Sequence, residues 1–231
     1  MQYTNPILPS FVPGQAVGGA HVFFDDFIGT PDVSKTALAN QWLQTDETGT
    51  SVLGVQVANT NGGVVEFDTH TTDDSDVSIQ LQGTSFVPEF AKTLYFETRL
   101  KVEGVALTQA FFGLALTDAT PVAGFPADFI GFTMATDADL EIRVLSTAGS
   151  DSGDLDTGID VVADTFIVLA FEWDGIDTVR FFADGAHVKS YSTVADIPTG
   201  IGLSPLLGIE NNGTTAKKMT IDYVLAMADR S

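Results

Sequence analysis

The 231-residue chain contains no cysteine. That excludes a disulfide framework, a thiol nucleophile and any metal centre built on thiolate, and it leaves the redox state of the compartment open. Basic residues are scarce: ten Lys and Arg stand against 31 Asp and Glu, a formal charge of -21. Such a field repels a polyphosphate instead of steering it inward, so nucleic acid is not expected as a partner. The three histidines, His21, His70 and His187, lie far apart, and no HxH or HExxH spacing marks a zinc site. No G-x-S-x-G elbow, P-loop or dinucleotide fingerprint occurs, which removes the usual warrants for acyl transfer, phosphoryl transfer and dinucleotide chemistry. The first twenty residues lack Lys and Arg and any unbroken apolar run. They match neither a secretory signal nor a membrane anchor, so a soluble protein made in a cytoplasm is expected, with no membrane partner.

What is present is a 44% hydrophobic chain, enough for one sizeable core. Residues 1–20 carry three Pro and three Gly among scattered apolar residues, with no period of 2 or 3.6, and read as an extended N-terminal arm. The arm is either a loose terminus or a segment that lays Tyr3, Ile7, Leu8 and Phe11 on a neighbouring subunit. Residues 21–231 read as a single domain. A short helix is expected at 35–43 (KTALANQWL). Elsewhere apolar residues alternate or cluster between turn residues, giving strands at 21–27, 52–58, 63–69, 77–82, 94–102, 110–116, 129–135, 140–146, 166–173, 178–183, 187–192 and 219–228. That pattern predicts an all-β sandwich of two antiparallel sheets. Residues 149–158 (GSDSGDLDTG) read as a surface loop.

Glu66, Asp68 and His70 in VVEFDTH alternate along a strand and project from one face, an acid, base and orienter set on the scale that retaining glycoside hydrolysis uses, about 5 to 5.5 Å between carboxyls. Val65, Phe67 and Thr69 are the natural core set, which makes the three polar residues the wet side of a half-buried strand. Asp73, Asp74 and Asp76 offer the hard oxygen ligands that calcium prefers, but lack the Gly and distal Glu of an EF-hand loop, so a solvated turn is expected. Asp151, Asp154, Asp156 and Asp160 invite the same idea in one unrepeated copy. No cofactor other than calcium is suggested. Asn212-Gly213-Thr214 fits a glycosylation acceptor and, more simply, a turn. In FEWDGIDTVRFFADGAHV, residues 171–188, the two Asp-Gly pairs are turn formers. Phe171, Trp173, Val179 and Phe181 face a core, Glu172 and Arg180 face outward as a cross-strand pair, and His187 is a surface residue.

Several segments, in order, resemble the concanavalin A-like lectin/glucanase superfamily, in particular laminarinase-type hydrolases: FDDFIG followed by Trp42, YFETRLKV, AFFGLAL, FEWDGIDTVRFFADGAHV and MTIDYVLAM. The resemblance covers most of the chain from His21 onward and implies a jelly-roll sandwich. In that family the strand after the AFFGLAL-like segment carries Glu-x-Asp-x-Glu. Here the corresponding ADFIGFTM has Asp128 as its only acid, with Gly131 and Phe132 where further carboxylates are needed, and two-carboxylate hydrolysis cannot run on one. The resemblance therefore implies the fold without the chemistry.

The GLALTD loop, DFIGF strand and terminal IDYV strand are also similar to concanavalin-like virion proteins of tailed phages. This implies a non-enzymatic capsid decoration or accessory protein of the virion, made in the host cytoplasm and docking on capsid subunits through Tyr3, Ile7, Leu8 and Phe11, with a homo-oligomer expected. The alternatives are a carbohydrate-binding, lectin-like or receptor-binding module and, third, a glycoside hydrolase.

Overall fold

The computed structural model describes residues 19–28, 33–34, 41–46, 52–57, 63–118, 121, 125–135 and 137–230. Among the described residues the strands are β1 (Ala20–Asp25), β2 (Val33–Ser34), β3 (Trp42–Thr45), β4 (Val52–Gln56), β5 (Val65–Asp68), β6 (Ser75–Leu81), β7 (Leu94–Glu103), β8 (Thr108–Ala115), β9 (Phe129–Met134), β10 (Asp139–Leu145), β11 (Leu155–Asp160), β12 (Ile167–Trp173), β13 (Val179–Ala183), β14 (Ala186–Tyr191), β15 (Ser204–Asn211) and β16 (Lys218–Asp229). They form two eight-stranded sheets. Sheet A runs β14-β13-β12-β7-β16-β5-β4, with β1 also paired to β16; sheet B runs β11-β10-β9-β8-β15-β6-β3-β2. Every pairing is antiparallel except the two-residue contact of β2 with β3. The chain is an all-β sandwich of two antiparallel sheets, as the residue pattern predicts, and a jelly roll, as the resemblance implies.

Period-2 alternation builds the core. In sheet A, Leu94, Phe96, Leu100 and Val102 of β7 and Leu169, Phe171 and Trp173 of β12 point inward, where they meet Phe112, Leu114, Ile130, Phe132, Leu207 and Ile209 of sheet B. One aromatic chain crosses the gap. Phe96 stacks on Phe171 at 5.4 Å, Phe171 contacts Phe181 at 5.7 Å, and Phe181 meets Phe132 of the other sheet edge to face at 5.3 Å. Both Trp residues are inside: the Trp42 indole donates to Asp25 Oδ2 at 2.7 Å and that of Trp173 to the Glu89 carbonyl at 3.1 Å.

Residues 171–188 form the β12-β13-β14 meander expected of them. Asp174 Oδ1 accepts the N–H groups of Ile176, Asp177 and Thr178, and Gly175 takes the φ of 76° that the turn requires. Glu172 and Arg180 do stand opposite in the register, but the ion pair of Arg180 is with Asp174 at 3.2 Å. The turn carboxylate, already fixed by backbone donors, is the better-ordered partner. His187 is exposed and bonds Ser190 Oγ at 2.8 Å.

Two local readings change, and one central strand, β15 (Ser204–Asn211), is absent from the strands expected of the sequence. Trp42 and Leu43, expected to end a helix, lie in β3, because burying the indole against β1 and pairing with β6 outweigh the helical propensity of the segment. Residues 35–40 lie outside the described residues. Within 149–158, Leu155 onward belongs to edge strand β11, where Leu155 and Ile159 pack on the core and Asp156 and Asp160 face water. An edge strand with small and acidic residues has too weak an apolar signal to stand out from a loop.

Phe171 sits at the middle of the aromatic chain with no exposed surface. Phe171→Ala is expected to lower unfolding stability by about 3–5 kcal/mol, read by urea denaturation. A loss below about 1 kcal/mol would remove this chain of rings as the tie between the sheets.

Candidate functional site

The strand that the resemblance in sequence marks for catalysis is β9, and its register fixes which side chains leave the core. Phe132 is fully buried between the sheets, so this position, taken from the sequence as one needing a carboxylate, faces the wrong way for one. The outward positions of β9 are Phe129, Gly131 and Thr133, opposite Leu145, Arg143 and Glu141 of β10 and opposite Ala115, Gly113 and Phe111 of β8. No outward position of β9 holds an acid. Asp128, just before the strand, is 3% exposed and accepts hydrogen bonds from Thr147 N at 2.9 Å and Thr147 Oγ1 at 3.0 Å, which makes it a loop tie.

Part of this outer face is covered by its own side chains. Phe111, Ala115, Phe129 and Leu206 form a buried cluster separate from the main core, with Phe125 and Leu145 packed against it. Rings replace missing side chains on the sheet: a Cβ at Gly208 would come within 2.5 Å of the Phe111 ring, and one at Gly131 within 2.6 Å of the Phe129 ring. β6, β8, β9 and β15 are buried at nearly every position on both faces. Glu210 of β15 and Asp76 of β6 stand directly opposite on this face and are 9% and 1% exposed.

Next to the cluster, Arg143 lies over the Phe125 ring at 4.2 Å and makes a bidentate pair with Asp151, its Nε donating to Oδ1 at 3.0 Å. Its remaining arm is 3.7 Å from Asp154, which also accepts from Thr133 Oγ1 at 2.8 Å. The Arg143 bond holds the Asp151 carboxyl below the usual range. The fork is therefore occupied. A cavity of about 120 Å³ remains between Gln109, Phe111, Phe125, Thr133, Arg143 and Asp154, well below the roughly 300–1,000 Å³ typical of small-molecule sites. Arg143 and Phe125 were missed from sequence. The alternation of DLEIRVL offers an outward Arg, but only the β9–β10 register says which strand it overlooks.

The other sequence candidates lie elsewhere. Glu66 and Asp68 are on β5 of sheet A, the outward side of a strand whose Val65 and Phe67 are fully buried, as expected. Glu66 pairs with Lys218 at 2.9 Å, burial raises the Asp68 pKa, and exposed His70 bonds Thr72 Oγ1 at 2.8 Å. Asp73 and Asp74 lie on an exposed turn while Asp76 is buried in β6, and among the described residues no group of three or more acidic or histidine side chains is arranged to hold a metal ion. Tyr3, Ile7, Leu8 and Phe11 lie outside the described residues.

No family model and no curated protein matches the chain. Solved structures do match. An endo-1,3-beta-glucanase from Streptomyces sioyaensis superposes with a TM-score of 0.62 at 15% identity, covering 96% of this chain and 100% of that one. The fold is the concanavalin A-like jelly roll. A laminarinase from Flavobacterium sp. UMI-01 (TM-score 0.61, 16% identity, 88% and 98% coverage) and the Emp46p carbohydrate recognition domain (0.53, 11%, 81% and 88%) share it. So does a Shewanella oneidensis MR-1 protein of unknown function (0.65, 15%, 92% and 88%).

Glu141, opposite Thr133, has a buried Oε2 with no hydrogen-bond donor, and burial, followed by the charge of Asp154 and other aspartates, raises its pKa. A raised folded-state pKa favours folding most below the ordinary glutamate value and loses that contribution as pH rises through the folded one. Glu141→Gln is therefore expected to melt above the parent protein at pH 7, with the difference vanishing below the ordinary glutamate pKa. A constant difference across a pH series of thermal melts would contradict this.

Proposed function

We propose that the chain is a non-catalytic jelly-roll protein that serves as an accessory or decoration component of a tailed-phage virion, docking on capsid subunits through its N-terminal arm. One observation carries the non-catalytic part: the outward face of β9 presents Phe129, Gly131 and Thr133 under an aromatic cluster, where hydrolysis needs two accessible carboxyl groups. The strongly acidic, cysteine-free composition supports a protein selected for solubility and assembly in place of phosphate or thiol chemistry. The arm leads into β1, where Val22 and Phe24 stand 51% and 56% exposed opposite Met227 and Leu225, an apolar strip at the sheet edge of the kind that partner subunits cover.

Carbohydrate binding without cleavage is the second reading, favoured by the similarity to a carbohydrate recognition domain and to several glucanases. Against it, both Trp side chains are buried and cannot serve as sugar platforms.

Virions purified from cells that produce this chain are expected to carry it, and deletion of residues 2–18 to release it while its circular dichroism stays unchanged. Retention of the truncated chain on particles would overturn docking through the arm. The purified protein is expected to release no reducing sugar from 1,3-β-glucan or mixed-linkage glucan. Sustained release that survives further purification would overturn the non-catalytic reading, and its loss in Glu66→Gln would place the activity on β5.

A further inference from the structure

A cleft of about 390 Å³ lies where β1 and the end of β16 meet the loop between β6 and β7, away from β9. This volume lies within the roughly 300–1,000 Å³ of small-molecule sites. His21 enters from β1, Ser85, Glu89 and Lys92 from the loop, and Asp229 and Arg230 from the end of β16. The lining thus holds two of the chain's ten Lys and Arg and one of its three His, with Lys92 and Arg230 balanced in formal charge by Glu89 and Asp229 on a chain that elsewhere is strongly acidic.

These groups are not equally engaged. Asp229 Oδ2 accepts from both Thr93 N and Thr93 Oγ1 at 2.8 Å, and Lys92 is paired with Glu89. The Arg230 backbone N–H is tied to the Gly19 carbonyl, which anchors this residue beside β1, yet its guanidinium makes no hydrogen bond or ion pair with a described residue. Neither does the imidazole of His21, which is held in place by the Phe86 ring at 5.0 Å. Two donors therefore line the cleft without a hydrogen-bond acceptor among the described residues.

The chemistry of the rim narrows the ligand. A planar guanidinium fork matches a carboxylate. Glu89 and Asp229 disfavour a dianion, which counts against phosphate, while their oxygens accept from hydroxyl donors and Ser85 can donate or accept. Val87 and Ala228 supply apolar surface for a C–H face. We propose that this cleft binds a uronate unit of an acidic saccharide, with its carboxylate on Arg230 and His21 and its ring hydroxyls on Glu89 and Ser85. This assignment goes beyond the structural role above and does not depend on it.

The test is calorimetric titration of the full chain with trigalacturonate, galactotriose and inorganic phosphate in 0.1 M salt, where the field of distant carboxylates is screened beyond about 10 Å. Trigalacturonate is expected to bind at least about tenfold more tightly than galactotriose, the worth of one charge-assisted contact. Arg230→Ala and His21→Ala are each expected to weaken it by about tenfold or more, and Arg230→Lys by less than Arg230→Ala. Absence of binding, equal affinity for the neutral sugar, displacement by phosphate, or an Arg230→Ala variant of unchanged affinity and unchanged circular dichroism would each overturn the assignment.

Discussion

The edge-to-face contact of Phe132 with Phe181 joins the two sheets through side chains that have no exposed surface. Because Phe181 also packs on Phe171, and Phe171 on Phe96, the contact connects β9 of one sheet to the centre of the other. It commits Phe132 to the interior, and a strand with period 2 then has no freedom left: Phe129, Gly131 and Thr133 cannot be on that face. The functional character of β9 follows from a packing decision made on its opposite side.

Once those positions face outward, their chemistry covers part of the face. Glycines at 131 and 208 leave hollows on the sheet, and the rings of Phe129 and Phe111 lie in them. The resulting apolar cover is continuous with Phe125, over which Arg143 lies, and Arg143 in turn gathers Asp151 and Asp154 from the loop before the edge strand. On this face Phe111, Ala115, Phe129 and Leu206 form a second, smaller core. Similarity at about 15% identity to glucanases is compatible with such a cover, since a sandwich is preserved by its inner alternation and a site by a few outward residues.

The chain's remaining open chemistry lies at its seams. His21 and Arg230 meet in a cleft only because β1 returns to pair with the far end of β16, bringing Ala20 opposite Asp229. The same pairing leaves Val22 and Phe24 exposed beside Met227 and Leu225. The cleft that holds His21 and Arg230 and an apolar strip therefore share one edge of the molecule.

Much of the fold was legible in the residues themselves. YFETRLKV and FEWDGIDTVRFFADGAHV announce their strands because alternation and Asp-Gly turns are local properties, decided by sterics and by which side chains avoid water. β3, β11 and β15 were not legible: Trp42 lies in a strand because of a partner seventeen residues away, Asp25, Leu155 because an edge strand borrows its order from β10, and Ser204–Asn211 because β6 and β8 pair with it from both sides. Which face Phe132 takes, the pairing of Arg180 with Asp174 instead of Glu172, and the meeting of His21 with Arg230 were settled by tertiary structure alone. Each depends on the register between strands distant in sequence, or on which of two nearby charges is held in place, and neither is a property of any stretch of chain by itself.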